Sequence, residues 1–257
     1  MAPNGEYALH AEWIKLRTLP GTVWLLLGVV ALTVAVGSIA GAAATCPAAG
    51  CGQDPAKTIL SGVVLSQAVV AILAVLAISG EYSSEMIRFT FAAMPRRVTV
   101  LTAKAAVVTA LVMVAGAVAV LASVLAGGLI LPGHGVPPPL SLAEAPVLRA
   151  AVGTILYLAL IALLSLGIAA AVREAAAAIG IVLGLLYVFP IIAAVVSVPS
   201  WHRHLDQIAP MTAGLAIQYT TGLRSAPIGP WPGLAILAAW AAAALLAGGT
   251  LLRHRDA

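Results

Sequence analysis

The sequence predicts an all-α integral membrane protein with six transmembrane helices, on three observations. Its composition is 62% hydrophobic and only 9% charged, with a mean hydropathy of +1.08, far outside the range of soluble globular chains. Six stretches reach the roughly 20 apolar residues that a helix needs to cross a bilayer core about 30 Å thick: 22–44, 59–79, 105–131, 150–172, 175–197 and 233–252. None of the six contains Asp, Glu, Lys, Arg or His. Residues 1–257 therefore read as a single transmembrane domain, with an inner loop at 80–104 and an outer segment at 198–232.

Orientation follows from the basic residues. With the N-terminus inside, the inner segments carry Lys15, Arg17, Arg88, Arg96, Arg97, Lys104, Arg173, Arg253 and Arg255, and the outer ones only Lys57, Arg149, Arg203 and Arg224. Nine against four predicts both termini in the cytoplasm. The net charge of +4 then belongs to inner-face anchoring, and no basic stripe with stacking aromatics points to nucleic acid.

Before the first span, Leu9, Trp13 and Leu16 recur at helical spacing beside His10, Lys15 and Arg17, the pattern of an interfacial helix. Glu12, Trp13, Lys15 and Arg17 are its marker residues, either as an elbow that helps seat a partner or as a plain juxtamembrane anchor. The first span is too long, and too poor in basic residues at its start, for a secretory signal, and is expected to be retained. It carries Gly37 and Gly41 four apart, a small-xxx-small pair. Cys46 and Cys51 follow in the outer loop, where thiols tend to oxidise. The intervening Pro47 and Gly50 permit a tight disulfide-closed turn, the alternative being two free thiols.

In the second span Gln67 is the most polar side chain at depth. Its amide needs a partner, so it faces another helix or a cavity, as interhelical glue or as part of a pathway. Gly80 to Lys104 is then the one long charged passage between two spans. Glu81 and Glu85 open it, Arg88, Arg96, Arg97 and Lys104 follow, and Met86, Ile87, Phe89 and Phe91 lie between. That mixture predicts a short amphipathic helix on a membrane surface, with Ser84 at its cap and Pro95 separating it from the third span.

Later elements are plainer. Residues 132–146 form an outer loop rich in Pro and Gly. Arg173 and Glu174 are the whole inner turn between spans four and five, which forces a tight hairpin. Gly180 and Gly184 suggest a close-packing face in span five, and Tyr187 and Pro190 a kink in its outer half. Leu205, Ile208, Leu215 and Tyr219 hint at short amphipathic pieces before span six, and Trp201 and Trp231 suit an aromatic belt. His202, His204 and Asp206 alternate, which a helix does not gather on one face, so no metal site is assigned.

The inner loop also carries a likeness. G-E-Y-S-x-x-x-I-R from Gly80, A-A-x-P-R-R from Ala92 and a lysine seven residues on, with E-W-x-K-L-R-T at Glu12 to Thr18, resemble the permease subunits of bacterial ATP-binding-cassette (ABC) transporters of type 2. Glu85 stands where that family is expected to have glycine, which makes the loop helix more continuous and adds a negative charge. Past Lys104 only the pattern of spans agrees. The resemblance implies that Glu81, Tyr82, Glu85, Met86, Ile87, Arg88, Phe89, Pro95, Arg96, Arg97 and Lys104 form a coupling segment gripped by a separate ATPase subunit. It also implies a second permease subunit, as homo- or heterodimer, a helical hairpin before the last span that dips into the outer leaflet, and a bacterial plasma-membrane location.

The residues themselves exclude several alternatives. No G-x-x-x-x-G-K-[ST] loop exists to cradle phosphates, so ATP and Mg would be bound by the partner. No H-E-x-x-H, G-x-S-x-G or paired intramembrane carboxylates support an enzyme. Ion-coupled carriers keep an acidic residue or His at membrane depth, and these spans have none. Together with the resemblance, which is what implies ATP drive and export, the expectation is an ATP-driven exporter of a hydrophobic or amphipathic compound (drug, lipid, peptide or natural product), contacting membrane lipids and needing no cofactor of its own. The competing expectation is a non-transporting sensor or assembly subunit that docks a cytoplasmic regulator through the same loop.

Overall fold

Proline punctuates this chain, and in the computed structural model it sets where helices begin. The structure describes residues 9–10, 12–15, 18–44, 54–83, 97–130, 141–195, 199–223 and 226–254. Helix α1 spans Pro20–Ala43, α2 Pro55–Ile59, α3 Val63–Ser83, α4 Arg97–Ile130, α5 Ala145–Val172 and α6 Ala175–Leu183. A π-helical turn, Gly184–Val188, leads into α7, Phe189–Val195. Then come α8 (Pro199–Ile208), α9 (Pro210–Leu215), a 3₁₀ turn (Ala216–Gln218) and α10 (Pro230–His254). Five of these start on a proline, which has no N–H to leave unpaired and a φ already suited to helix. Leu19, Asp54 and Ala209, each preceding one, are extended, as the proline ring demands.

Six of the helical spans are long and apolar enough to cross a membrane, and no strand occurs among the described residues. The protein is a multi-pass membrane protein. Helix α5 is its centre: 61% of its most apolar window is buried, against 17% for α1. It packs on α3, α4, α6 and α10, while α1 lies outside against α3 and α4. The tightest of these crossings is α5 on α10, where a Cβ on Gly167 would lie 2.5 Å from the backbone of Ala244 and one on Gly248 would lie 2.6 Å from the Gly167 carbonyl. Backbones meet there because nothing larger than hydrogen stands between them.

Three expectations change in detail. The second span begins at Val63, not Ile59, because residues 60–62 form a turn after α2. That turn nests on α1, with the carbonyl of Ile59 against Gly37 and that of Thr33 against Gly62, each closer than any Cβ would permit. Helix α4 starts at Arg97 and α5 at Ala145, so Lys104 and Arg149 are inside span helices, near their ends. Gly180 and Gly184 face open space. They form no close-packing face among the described residues.

The α5–α6 hairpin is as tight as its two-residue turn requires. Arg173 ends α5 in the left-handed region at φ 66°, and the Glu174 carboxylate caps α6 by accepting from the amides of Ala176 and Ala177 at 2.9 and 2.5 Å. The expected irregularity of span five is the π turn. Pro190 cannot donate to the carbonyl of Leu186, and the wider i to i−5 bonding, as from Phe189 N–H to Gly184 O, takes up the mismatch.

Candidate functional site

Beside the start of α4, residues 12–15 are helical and two-faced. Leu9, Trp13 and Ile14 are each more than 40% exposed, whereas Glu12 is 5% exposed. The Glu12 carboxylate accepts from Lys104 Nζ at 2.6 Å, with both side chains buried. Neighbouring positions on a short helix thus divide between an outward apolar face and an inward anion. The sequence reading puts Glu12 in the interfacial helix and Lys104 in the coupling segment; the structure joins them. Lys104 is consequently not a surface charge open to a docking partner. Its ammonium is spent tying the N-terminal segment to the base of α4.

The other coupling residues are placed less fully. Glu81 and Tyr82 continue the α3 helix and Arg97 opens α4. Glu85, Met86, Ile87, Arg88, Phe89, Pro95 and Arg96 lie outside the described residues, as do Arg17, Cys46 and Cys51 and with them the expected disulfide. Lys15 is half-buried on the N-terminal helical segment.

Within the bundle, Gln67 is fully buried and has the helix partner that its depth demands. Its Oε1 accepts a hydrogen bond from the hydroxyl of Tyr157 on α5. Tyr187, on the π turn, donates to the carbonyl of Val64 at 2.5 Å. Thr33 and Ser66 join α1 to α3 at 3.0 Å, and Gln218 reaches Thr154 at 3.3 Å. These contacts bind α1, α3, α5, the π turn and the segment before α10 into one polar seam. Gln67 Nε2 has no hydrogen-bond partner among the described residues.

At the opposite end a clasp forms that sequence reasoning missed. Asp54 caps α2 through the amides of Ala56 and Lys57 at 3.1 and 3.3 Å. It also accepts from the Thr220 amide and hydroxyl at 2.5 and 2.7 Å and from the Thr221 amide at 2.8 Å. Half-burial pushes this carboxyl's pKa up, but the bonds from Thr220, Thr221 and Lys57 outweigh it and hold the group below the ordinary Asp value. Lys57 Nζ donates to the Tyr219 hydroxyl at 2.9 Å and sits 4.2 Å from the ring centroid. Arg149 Nη2 donates to the Tyr219 carbonyl at 2.6 Å. The segment before α10 is thereby fastened to the starts of α2 and α5. Asp54 followed by Pro55 is a helix-start signature legible in sequence; its bonds to residues 220 and 221 are not.

The segment from α8 to the 3₁₀ turn is a helical pair folded into the bundle. Ala209, Ala213, Ala216 and Ile217 are buried, with α9 and the 3₁₀ turn against α5 and α10. Side chains close its loose carbonyls: Trp240 Nε1 on α10 donates to Ile208 O at 3.0 Å, and Thr212 on α9 itself to Asp206 O at 2.7 Å. Trp231 is 56% exposed at the start of α10.

No family model matches this chain, and no curated protein matches it either.

Proposed function

We propose that this chain is the permease subunit of an ATP-driven ABC exporter for a hydrophobic or amphipathic compound, its termini cytoplasmic and its ATPase a separate subunit. One observation carries the reading. The six spans hold no Asp, Glu, Lys, Arg or His through their middle, while a buried ion pair couples the N-terminal helical segment to α4, the helix that the charged inner loop enters. With no Asp, Glu, Lys, Arg or His at depth, the bundle lacks the side chains through which carriers couple to a proton or ion gradient. Energy then enters from outside the bilayer, at the loop between α3 and α4.

In this reading the ATPase grips the inner loop through Met86, Ile87 and Phe89, with Arg88, Arg96 and Arg97 providing charge complementarity. Force on the loop passes directly into α3 and α4. The Glu12–Lys104 pair makes the N-terminal segment move with α4. The helical pair before α10 serves as the outer gate, and the polar seam around Gln67 is where α3 and α5 would part.

The test is purification of the tagged full-length chain from membranes of its native host in mild detergent, followed by an ATP hydrolysis assay of what comes with it. The expected result is a co-purifying ATPase whose turnover falls to background when Arg88→Glu or Arg96→Glu is introduced and the chain stays in the membrane. Transport activity in vesicles containing this chain alone, with no nucleotide-hydrolysing companion, refutes the reading. Co-purification with turnover indifferent to both substitutions supports the sensor or assembly subunit instead.

A further inference from the structure

At the clasp end, an open cleft of about 680 Å³ lies between α1, α2 and the segment before α10, within the size range of small-molecule sites. One wall is apolar, made by Ala40, Ala43 and Ala44 at the end of α1. Lys57, Ser61 and Tyr219 supply polar groups to the same lining.

Asp54 also lines the cleft, but its carboxylate is saturated. Oδ1 accepts from two amides and the Thr220 hydroxyl, and Oδ2 from two more amides. It has little capacity left for a cation. Lys57 is different. Its side chain is exposed, and of its three ammonium protons one is directed to the Tyr219 hydroxyl. That hydroxyl accepts from Lys57 and keeps its own proton to donate. Ser61 has a buried hydroxyl with no hydrogen-bond partner among the described residues. The polar lining is therefore a set of donors around one cation, and Arg149 just behind Tyr219 adds positive charge.

From this chemistry we infer that the cleft binds an amphiphile with an anionic head, phosphate or carboxylate, held by Lys57, Tyr219 and Ser61 while its apolar tail lies along the alanine wall of α1. A bilayer phospholipid and a free amphiphile share this chemistry. The inference does not depend on the transport reading.

The test uses the full-length chain in phosphatidylcholine nanodiscs, titrated with hexyl phosphate and with hexyltrimethylammonium as a probe of opposite charge. Hexyl phosphate is expected to bind and the cationic probe not. Lys57→Gln should weaken hexyl phosphate about tenfold or more, the loss of one charge-assisted bond, while Lys57→Arg retains it. Tyr219→Phe removes a neutral donor to the head but keeps the ring beneath the ammonium, so it should weaken hexyl phosphate, and by less than Lys57→Gln does; a loss as large as that of Lys57→Gln would mark a merely structural clasp.

Adding phosphatidylglycerol to the discs identifies the source. Competition with hexyl phosphate marks a lipid headgroup as the occupant, and indifference marks a free amphiphile. Equal affinity for both probes, no binding of hexyl phosphate, or affinity unchanged by Lys57→Gln overturns the inference. Should Lys57→Gln fail to fold, the probe pair and Lys57→Arg still decide it.

Discussion

Removing either member of the Glu12–Lys104 pair should destabilise the protein far more than removing both. The two groups meet at 2.6 Å with side-chain exposures of 7% and 3%. At an effective dielectric near 20, that separation corresponds to about 6 kcal/mol of gross attraction. Desolvation takes back several kcal/mol per ion, so the pair is close to break-even against an apolar replacement. Lys104→Met strands a buried carboxylate and Glu12→Gln strands a buried ammonium's charge, and each should cost about 3–5 kcal/mol. The double variant should cost less than either single one, a coupling energy of about 3 kcal/mol or more. Unfolding by titrated dodecyl sulfate in mixed micelles, followed by tryptophan fluorescence across the four-member cycle, measures this term. Additive single costs, or single costs below about 0.5 kcal/mol, would mean a pair behaving as a solvent-screened surface bridge and would refute the coupling of the N-terminal segment to α4.

Glycine positions should respond with opposite signs. Gly167→Ala, whose Cβ would lie 2.5 Å from the Ala244 backbone, should lower stability by about 1–3 kcal/mol in the same titration, whereas Gly180→Ala, with open space around it, should raise it by up to about 1 kcal/mol. Tyr157→Phe takes the donor from buried Gln67 and should cost about 1–2 kcal/mol; Gln67→Leu combined with it should recover part of that loss. Asp54 is a pH reporter. Its folded pKa lies below the unfolded value, so its contribution is complete above about pH 4 and fades as pH falls through the lower folded pKa. Asp54→Asn should therefore be less stable than wild type at pH 6, with the gap closing towards pH 3, and a gap independent of pH would show that the carboxylate's charge is not what the threonines bind.

The reason some of this was legible and some not is visible in single residues. Arg173 and Glu174 leave no room for anything but a tight turn, so the α5–α6 hairpin could be written down from two letters. Pro190 announced an irregular fifth span because a missing N–H is a local property, though not that a π turn would absorb it. Gln67 announced a need for a partner. It could not announce Tyr157, ninety positions away, since among many aromatic and small polar side chains nothing local selects one. Glu12 and Lys104 looked like members of two different surface elements for the same reason. Charge near a membrane end reads as exposed until the packing shows what covers it. Likewise Gly180 and Gly184 have the spacing of a packing face but not the neighbour, whereas Gly167 and Gly248, without a regular motif, sit where two backbones meet.

The number of spans, their apolar character and the confinement of charge to the ends follow from composition and order alone, because transfer of a 20-residue helix into hydrocarbon depends on what each residue is and hardly on what it touches. Which helix occupies the centre, which charges are paired, and how the segment before α10 is fastened to α2 and α5 depend on side chains far apart in the chain arriving at the same place. Every span here is apolar on all sides, so hydrophobicity does not choose one helix face over another. Backbone approach at glycine and the pairing of a few buried polar groups make that choice, and both exist only once the helices are packed.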